Sequence, residues 1–170
     1  IYMRGIPYVS VPTTLLGMAD AAVGGKTGVD LKEGKNLIGS FCPPRLVWID
    51  PGFLKTLPFR EWKTGFAEIV KYGVIKNRAF FFWLENRLRN NPEVESWPEK
   101  DMARAIYESV RIKAEVVGKD ERETPLKGGR EILNFGHTVG HALEAATVFG
   151  KLTHGEAIGI GMAAAGHIAN

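Results

Sequence analysis

The stretch Gly65-Phe66-Ala67-Glu68-Ile69-Val70-Lys71-Tyr72-Gly73 sets Phe66, Ile69, Val70 and Gly73 at the i, i+3, i+4 and i+7 positions of a helix, so they share one face. Glu68 stands inside this apolar run, where an unpaired charge is costly to bury. Lys71, about one turn later, can share its face. The same period continues C-terminally. Residues 80–88 form an aromatic-rich helical segment, and residues 102–117 repeat apolar side chains at i, i+3 and i+4. Residues 90–99, with two prolines, read as a surface connection, and the polar residues 119–130 as a loop before a helix over 132–148. Thr153 can cap a last helix beginning near Gly155.

N-terminal to the decisive stretch the pattern changes. Tyr8-Val9-Ser10-Val11 reads as a short strand ending at Pro12, after which Thr13 and Thr14 can cap a helix over 15–22. Residues 22–36 read as a glycine- and lysine-containing loop. Residues 45–49 form a second strand run, closed by the turn-forming Asp50-Pro51-Gly52. The expected fold is an α/β start on a mostly α-helical domain, with the division at residues 1–56 and 57–170.

Composition narrows the function classes. The chain has 170 residues and 20 glycines, without a collagen-like period, which suggests tight turns and backbone brought close to ligands. A formal charge of +3 is too mild and too well mixed to argue for nucleic acid, but it suits a small anionic substrate. The first long stretch without charged side chains, residues 5–19, contains two prolines and is shorter than the ~18 apolar residues that span a bilayer. No signal-peptide pattern is present. The single cysteine, Cys42, cannot form an internal disulfide and reads as a small buried hydrophobe, which favours a reducing, cytoplasmic setting. Because the sequence opens on Ile1 and stops inside an alanine-rich helical pattern, it reads as an internal piece of a longer protein.

Two constellations carry chemistry. Gly24-Gly25-Lys26-Thr27 looks like the end of a P-loop, but Asp20 stands where that motif needs its first glycine, so ATP is not expected. What survives is a loop presenting Lys26 and Lys35 to an anion, with Asn36 adding directional hydrogen bonds. In Asn134-Phe135-Gly136-His137-Thr138-Val139-Gly140-His141, the histidines His137 and His141 fall at i, i+4 on one helix face. Gly136 and Gly140 cost helix stability, which suggests close approach to the backbone. His154, beside the last helix start, can join the same site, and Glu68 is the candidate carboxylate. Neutral imidazoles with one carboxylate suit Zn²⁺, because three protein ligands leave a position for substrate or water.

The strings Val11-Pro-Thr-Thr-Leu-Leu16, Val23-Gly-Gly-Lys-Thr-Gly28, Gly34-Lys-Asn-Leu-Ile-Gly39, Ala67-Glu-Ile-Val-Lys-Tyr-Gly73, Asp120-Glu-Arg-Glu123, Leu133-Asn-Phe-Gly-His-Thr138 and His154-Gly-Glu-Ala157 run in one order along the chain. Together they closely resemble 3-dehydroquinate synthase, of the sugar-phosphate cyclase superfamily. The resemblance implies a fragment of a two-domain fold: residues 1–56 end an NAD-binding α/β domain, and residues 57–170 belong to a helical metal- and substrate-binding domain. It implies catalytic NAD⁺ and a divalent metal, Zn²⁺ or Co²⁺, in converting 3-deoxy-D-arabino-heptulosonate 7-phosphate into 3-dehydroquinate and phosphate. The implied route is transient oxidation at C5, β-elimination of phosphate, return of the hydride, ring opening and intramolecular aldol closure.

By the same resemblance Glu68, His137 and His154 are the metal ligands, and His141 becomes a substrate-side residue. Asp20, Lys26, Asn36, Lys71, Lys113, Arg130, Asn134 and His141 are the implied substrate-facing set, while Thr13, Thr14, Lys26, Lys35, Phe53, Leu54, Lys55 and Thr56 match positions around NAD. The implied partners are a small sugar phosphate and a second copy of the full-length chain, with no nucleic acid or membrane. The chain departs from the pattern in lacking the glycine-rich nucleotide-binding turn and in a longer segment over 123–130, with Gly129 where a leucine is usual. Three competing readings are a cyclase with another product such as 2-deoxy-scyllo-inosose synthase, a metal-dependent polyol dehydrogenase with net NADH release, and a non-catalytic metal-binding helical module.

Overall fold

A computed structural model describes residues 6–31, 34–120, 129–147 and 151–169, with the side chains of residues 30–37 outside that description. Helix α1 (Phe59–Lys76) is the hub, packed against α2 (Arg78–Asn90), α3 (Glu99–Lys119) and α5 (His154–Ile168). Its central position explains why burial wraps around it, taking in Trp62, Phe66, Ile69 and Tyr72 as well as Glu68 and Lys71. Gly65 is required at one such contact: a Cβ there would lie 2.5 Å from the backbone nitrogen of Leu16. Asn77 closes α1 and opens α2, its side chain accepting from the Phe80 amide at 3.1 Å.

The α3 stripe predicted over 102–117 is buried as expected, with Met102, Ala105, Ile106, Ser109, Ile112, Lys113, Val116 and Val117 facing inward. The connection over 90–99 is more than a surface link. It contains a short 3₁₀ turn (Val94–Ser96), and Val94 and Trp97 enter the core. Trp97 meets Phe66 edge-on at 5.3 Å and Trp83 at 6.0 Å between ring centres, while its Nε1 donates to the Asn91 carbonyl at 2.9 Å.

At the N-terminal end, β1 (Val9–Ser10) pairs in parallel with β4 (Leu46–Val47). The helix expected over 15–22 forms, but residues Gly17–Ala21 are wound as a π-helical turn, and the Thr14 hydroxyl accepts from the Gly17 amide at 3.1 Å. The loop expected over 22–36 is corrected. β2 (Lys26–Leu31) and β3 (Gly34–Phe41) form an antiparallel pair in the register Thr27 opposite Ser40, Gly28 opposite Gly39 and Val29 opposite Ile38. Thr27 Oγ1 donates to the Ser40 carbonyl at 2.8 Å. The glycines that suggested a loop instead permit close strand approach, since a side chain at Gly39 would overlap the Thr27 carbonyl. Cys42, expected to be buried, is partly exposed just beyond this hairpin.

The single helix expected over 132–148 is also corrected. A 3₁₀ turn (Arg130–Asn134) is followed by a break at Gly136, where φ is +79°, and α4 runs from His137 to Ala146. Only glycine adopts that backbone cheaply, so the break places His137 at the first turn of α4. The loop expected over 119–130 lies largely outside the described residues. Among the described residues no helix is long and apolar enough to cross a membrane.

Candidate active site

Three helices bring the site together. α1 supplies Glu68 and Lys71, α4 supplies His137 and His141, and α5 supplies His154 at its first turn. The α5 start is fixed by a capping box: Thr153 accepts from the Glu156 amide at 3.3 Å, and Glu156 accepts from the Thr153 amide at 2.7 Å. Arg60 on α1 donates to both Glu156 and the Lys151 carbonyl, tying this helix start to the hub. α4 and α5 approach closely because glycines on α4 leave room for side chains and backbone of α5. A Cβ on Gly136 would lie 2.6 Å from Met162 Cγ, and one on Gly140 would lie 2.6 Å from Ile158 Cδ1. The close approach inferred from these glycines is therefore made by α5.

Glu68 is 0% exposed. Lys71 Nζ pairs with its Oε2, and among the described residues the buried Oε1 has no hydrogen bond. Nε2 of His137 and Nε2 of His154 lie 3.7 Å and 3.6 Å from that Oε1. One ligand atom from each of Glu68, His137 and His154 falls within 4.8 Å of the others. A buried carboxylate oxygen with two imidazole nitrogens turned toward it is a donor set that fits a tetrahedral divalent cation with one position open. His141 adjoins the cluster, its ring centre 5.3 Å from that of His137 and 5.9 Å from that of His154.

The electrostatics suit such a centre. Burial raises the Glu68 carboxyl, but His154 and Lys71 more than reverse this and hold it below its ordinary 4.5. Burial and the Lys71 charge lower His137, leaving it neutral at neutral pH as a metal ligand must be. His154 is raised by the Glu68 carboxylate beside it, despite burial. A metal bound to this ring competes with the proton that the Glu68 carboxylate favours.

Beside these residues a cleft with room for about 140 Å³ of solvent is lined by Asp20, Lys26, Lys71, Lys113, Arg130, Asn134 and His137, with Leu133 as its apolar patch. Six members of the expected substrate-facing set thus converge on one cleft that touches the histidine cluster. Lys113 Nζ holds Asp20 Oδ1 at 2.5 Å and the Asp20 carbonyl at 2.7 Å. Tyr72, which the sequence reading did not single out, donates its hydroxyl to the same Oδ1. Burial would raise Asp20, but the Lys113 and Lys71 charges and the hydrogen bonds from Lys113 and Tyr72 bring it down to about 2. Burial and the Asp20 carboxylate push the Tyr72 phenol well above its ordinary 10.0, keeping it a donor.

Asn36 and Lys35 stand on β3, with side chains outside the described residues. Of the positions expected around NAD, Thr13, Lys26, Phe53, Lys55 and Thr56 are exposed. Thr14 is half-buried and occupied as a cap, and the Leu54 side chain is turned into the core. Glu144 is a second residue the sequence reading missed: it is buried, and its Oε1 lies 3.5 Å from His154 Nδ1. Its position three residues after His141, on the same helix face, was the available signal.

Two imidazoles and a buried carboxylate that could hold a metal ion thus stand beside a cleft lined by four cationic side chains. The chain belongs to the 3-dehydroquinate synthase family: residues 1–64 match its N-terminal model and residues 65–170 its C-terminal model. It is 54% identical over 162 residues to the 3-dehydroquinate synthase of Pelotomaculum thermopropionicum, covering 95% of this chain and 42% of that protein. It is 55% identical over 172 residues to that of Symbiobacterium thermophilum, covering 99% and 45%. The chain thus spans less than half the length of the curated relatives it matches. Among solved structures, 2-epi-5-epi-valiolone synthase (ValA) from Streptomyces hygroscopicus subsp. jinggangensis, with NAD⁺ and Zn²⁺ bound, superposes with a TM-score of 0.84 at 38% identity, covering 96% of this chain and 44% of that one. A 2-deoxy-scyllo-inosose synthase complexed with carbaglucose-6-phosphate, NAD⁺ and Co²⁺ gives 0.83 at 36% identity, covering 99% and 45%.

Proposed function

We propose that this chain is part of a 3-dehydroquinate synthase, which converts 3-deoxy-D-arabino-heptulosonate 7-phosphate into 3-dehydroquinate and inorganic phosphate with NAD⁺ and one divalent metal. The observation that carries the reading is the meeting of Glu68, His137 and His154 at the edge of the cleft lined by Lys26, Lys71, Lys113 and Arg130. Relatives with this activity match at 54% and 55% identity, whereas the cyclases with other products match at 36% and 38%. This difference favours the dehydroquinate product.

Glu68, His137 and His154 would hold the metal. When bound, the cation supplies Lewis acidity toward vicinal hydroxyls, and NAD⁺ supplies reversible hydride acceptance. The chain's own side chains do the remaining work. Lys26 and Arg130 compensate the phosphate and carboxylate of the substrate, and Lys71 and Lys113 set the positive potential of the cleft floor. Asp20, held ionised, fixes the Lys113 ammonium in place. Asn134 orients hydroxyls through its amide, and His141 is available for proton transfer beside the metal cluster.

Thr13, Phe53, Lys55 and Thr56 offer exposed atoms to the dinucleotide, with Leu54 supporting them from beneath. In this reading residues 1–56 close the NAD-binding domain and residues 57–170 build the metal and substrate domain. The working protein is a cytoplasmic homodimer, to be checked by light scattering and fractionation.

A phosphate-release assay on the complete gene product with the heptulosonate phosphate tests the reading. Release that needs both NAD⁺ and a chelatable metal, with 3-dehydroquinate as product, is expected. A different carbocycle would move the protein to another cyclase activity, and net NADH accumulation would make it a polyol dehydrogenase. Metal uptake without phosphate release would reduce it to a binding module.

A further inference from the structure

We propose that Glu144 is a positioning residue of the metal centre: its carboxylate accepts from Nδ1–H of His154 and so turns Nε2 of that ring toward Glu68. The inference rests on the metal reading above and concerns a residue outside the ligand set. Both imidazoles lie between an oxygen on the Nδ1 side and the Glu68 carboxylate on the Nε2 side. His137 has Nδ1 3.2 Å from the Phe135 carbonyl and Nε2 3.7 Å from Glu68 Oε1. His154 has Nδ1 3.5 Å from Glu144 Oε1 and Nε2 3.6 Å from the same Glu68 oxygen. Each ring therefore has an acceptor behind it and the common carboxylate oxygen in front. An acceptor at Nδ1 selects the tautomer whose Nε2 lone pair is free to bind a cation.

The place of Glu144 in the fold argues for a task. It is only 5% exposed and lies in the last turn of α4, where the helix dipole disfavours a negative charge. Its side chain faces α5 at the contact of the two histidine-bearing helices, so it also couples the orientation of His154 to the position of α4. One ligand atom from each of His141, Glu144 and His154 also falls within a 4.8 Å group, which raises the alternative that Glu144 ligates a second cation. The placement of the His154 ring decides between the roles, with Nε2 3.6 Å from Glu68 Oε1 and Nδ1 3.5 Å from Glu144 Oε1. Once Nε2 serves the Glu68 site, Nδ1 keeps its proton and is a donor, so Glu144 receives a hydrogen bond there.

The test compares the parent protein with E144A and E144Q, measuring zinc affinity by competition with a chromophoric chelator, zinc stoichiometry, and the His154 tautomer by long-range ¹H–¹⁵N correlation. The parent should bind one zinc per chain, with His154 protonated at Nδ1. E144A should bind zinc about 10–100-fold more weakly, and E144Q, which keeps an acceptor without the charge, should fall between the two. Equal affinity in parent and E144A overturns the role of Glu144 while leaving the metal reading intact, as does a parent with two zincs per chain. A parent that binds no zinc overturns the metal reading and this inference together. If E144A does not fold, E144Q carries the test, and zinc affinity equal to the parent's overturns the proposal.

Discussion

Glu68 is fully buried, and among the described residues its Oε1 lacks a hydrogen bond, a condition that a bound cation relieves. Replacing His154 by Ala removes one donor and leaves a carboxylate and a single imidazole, too few to retain Zn²⁺. Metal analysis of the purified variant should therefore find it close to metal-free, and undiminished zinc would remove His154 from the ligand set. Asp20 makes a prediction about pH. Its folded value of about 2 lies below the ordinary 3.8, so the folded state takes up this proton less readily than the unfolded one. The resulting stabilisation is fully present above pH 3.8 and lost as pH falls through 2, and its size is about 2 kcal/mol. Denaturant titrations at stepped pH should show the stability gap between the parent and D20N narrowing by about that amount across this window. A constant gap would show that the Lys113 and Tyr72 contacts do not perturb Asp20.

At the scale of elements, the pairing of α4 with α5 decides whether the histidines converge. A Cβ on Gly161 would overlap the Gly136 carbonyl, whereas among the described residues nothing lies within 4 Å of the corresponding position on Gly159, two residues away on the same helix. The two glycines should respond oppositely to alanine. G161A should destabilise by about 1–3 kcal/mol, because overpacking outweighs the gain in helix propensity. G159A should be neutral or stabilising by up to ~1 kcal/mol, since only propensity changes. Thermal or urea melts of both variants check the pair, and equal effects would mean that α5 does not seat against Gly136. G161A should also weaken zinc binding, because forcing the helices apart separates His137 and His154.

At the scale of the whole molecule, the exposed parallel pair is informative. Parallel strands are ordinarily covered on both faces, yet Val9, Val11, Leu46 and Trp48 around β1 and β4 are exposed, Trp48 by 61%. In the proposed reading this surface is completed by further chain of the kind that makes the relatives more than twice as long. Purified residues 1–170 should then bind NAD⁺ weakly and release no phosphate, since a dinucleotide needs a largely preformed pocket. Calorimetric titration with NAD⁺ alongside the phosphate assay checks this. Tight binding with turnover by these 170 residues would show that they hold a complete cofactor site.

The sequence by itself determined the features that depend on short-range chemistry. The apolar period of α1 and α3, the Thr153 cap of α5 and the improbable burial of Glu68 are all written within a few helical turns, where one residue's spacing to the next fixes its direction. The spacing of His137 and His141, with His154 near the last helix start, already pointed to a metal site, and family motifs added the assignment of Glu68, His137 and His154 as its ligands and further cationic residues such as Lys113 and Arg130. Tertiary structure decided the rest. The β2–β3 pair depends on which backbone lies opposite Gly39, and the break at Gly136 depends on how closely α5 packs. Tyr72 and Glu144 gained their roles only when α1 met the Asp20 segment and α4 met α5. Contacts between residues distant in sequence leave no period to read, because they are selected by packing rather than by the local backbone.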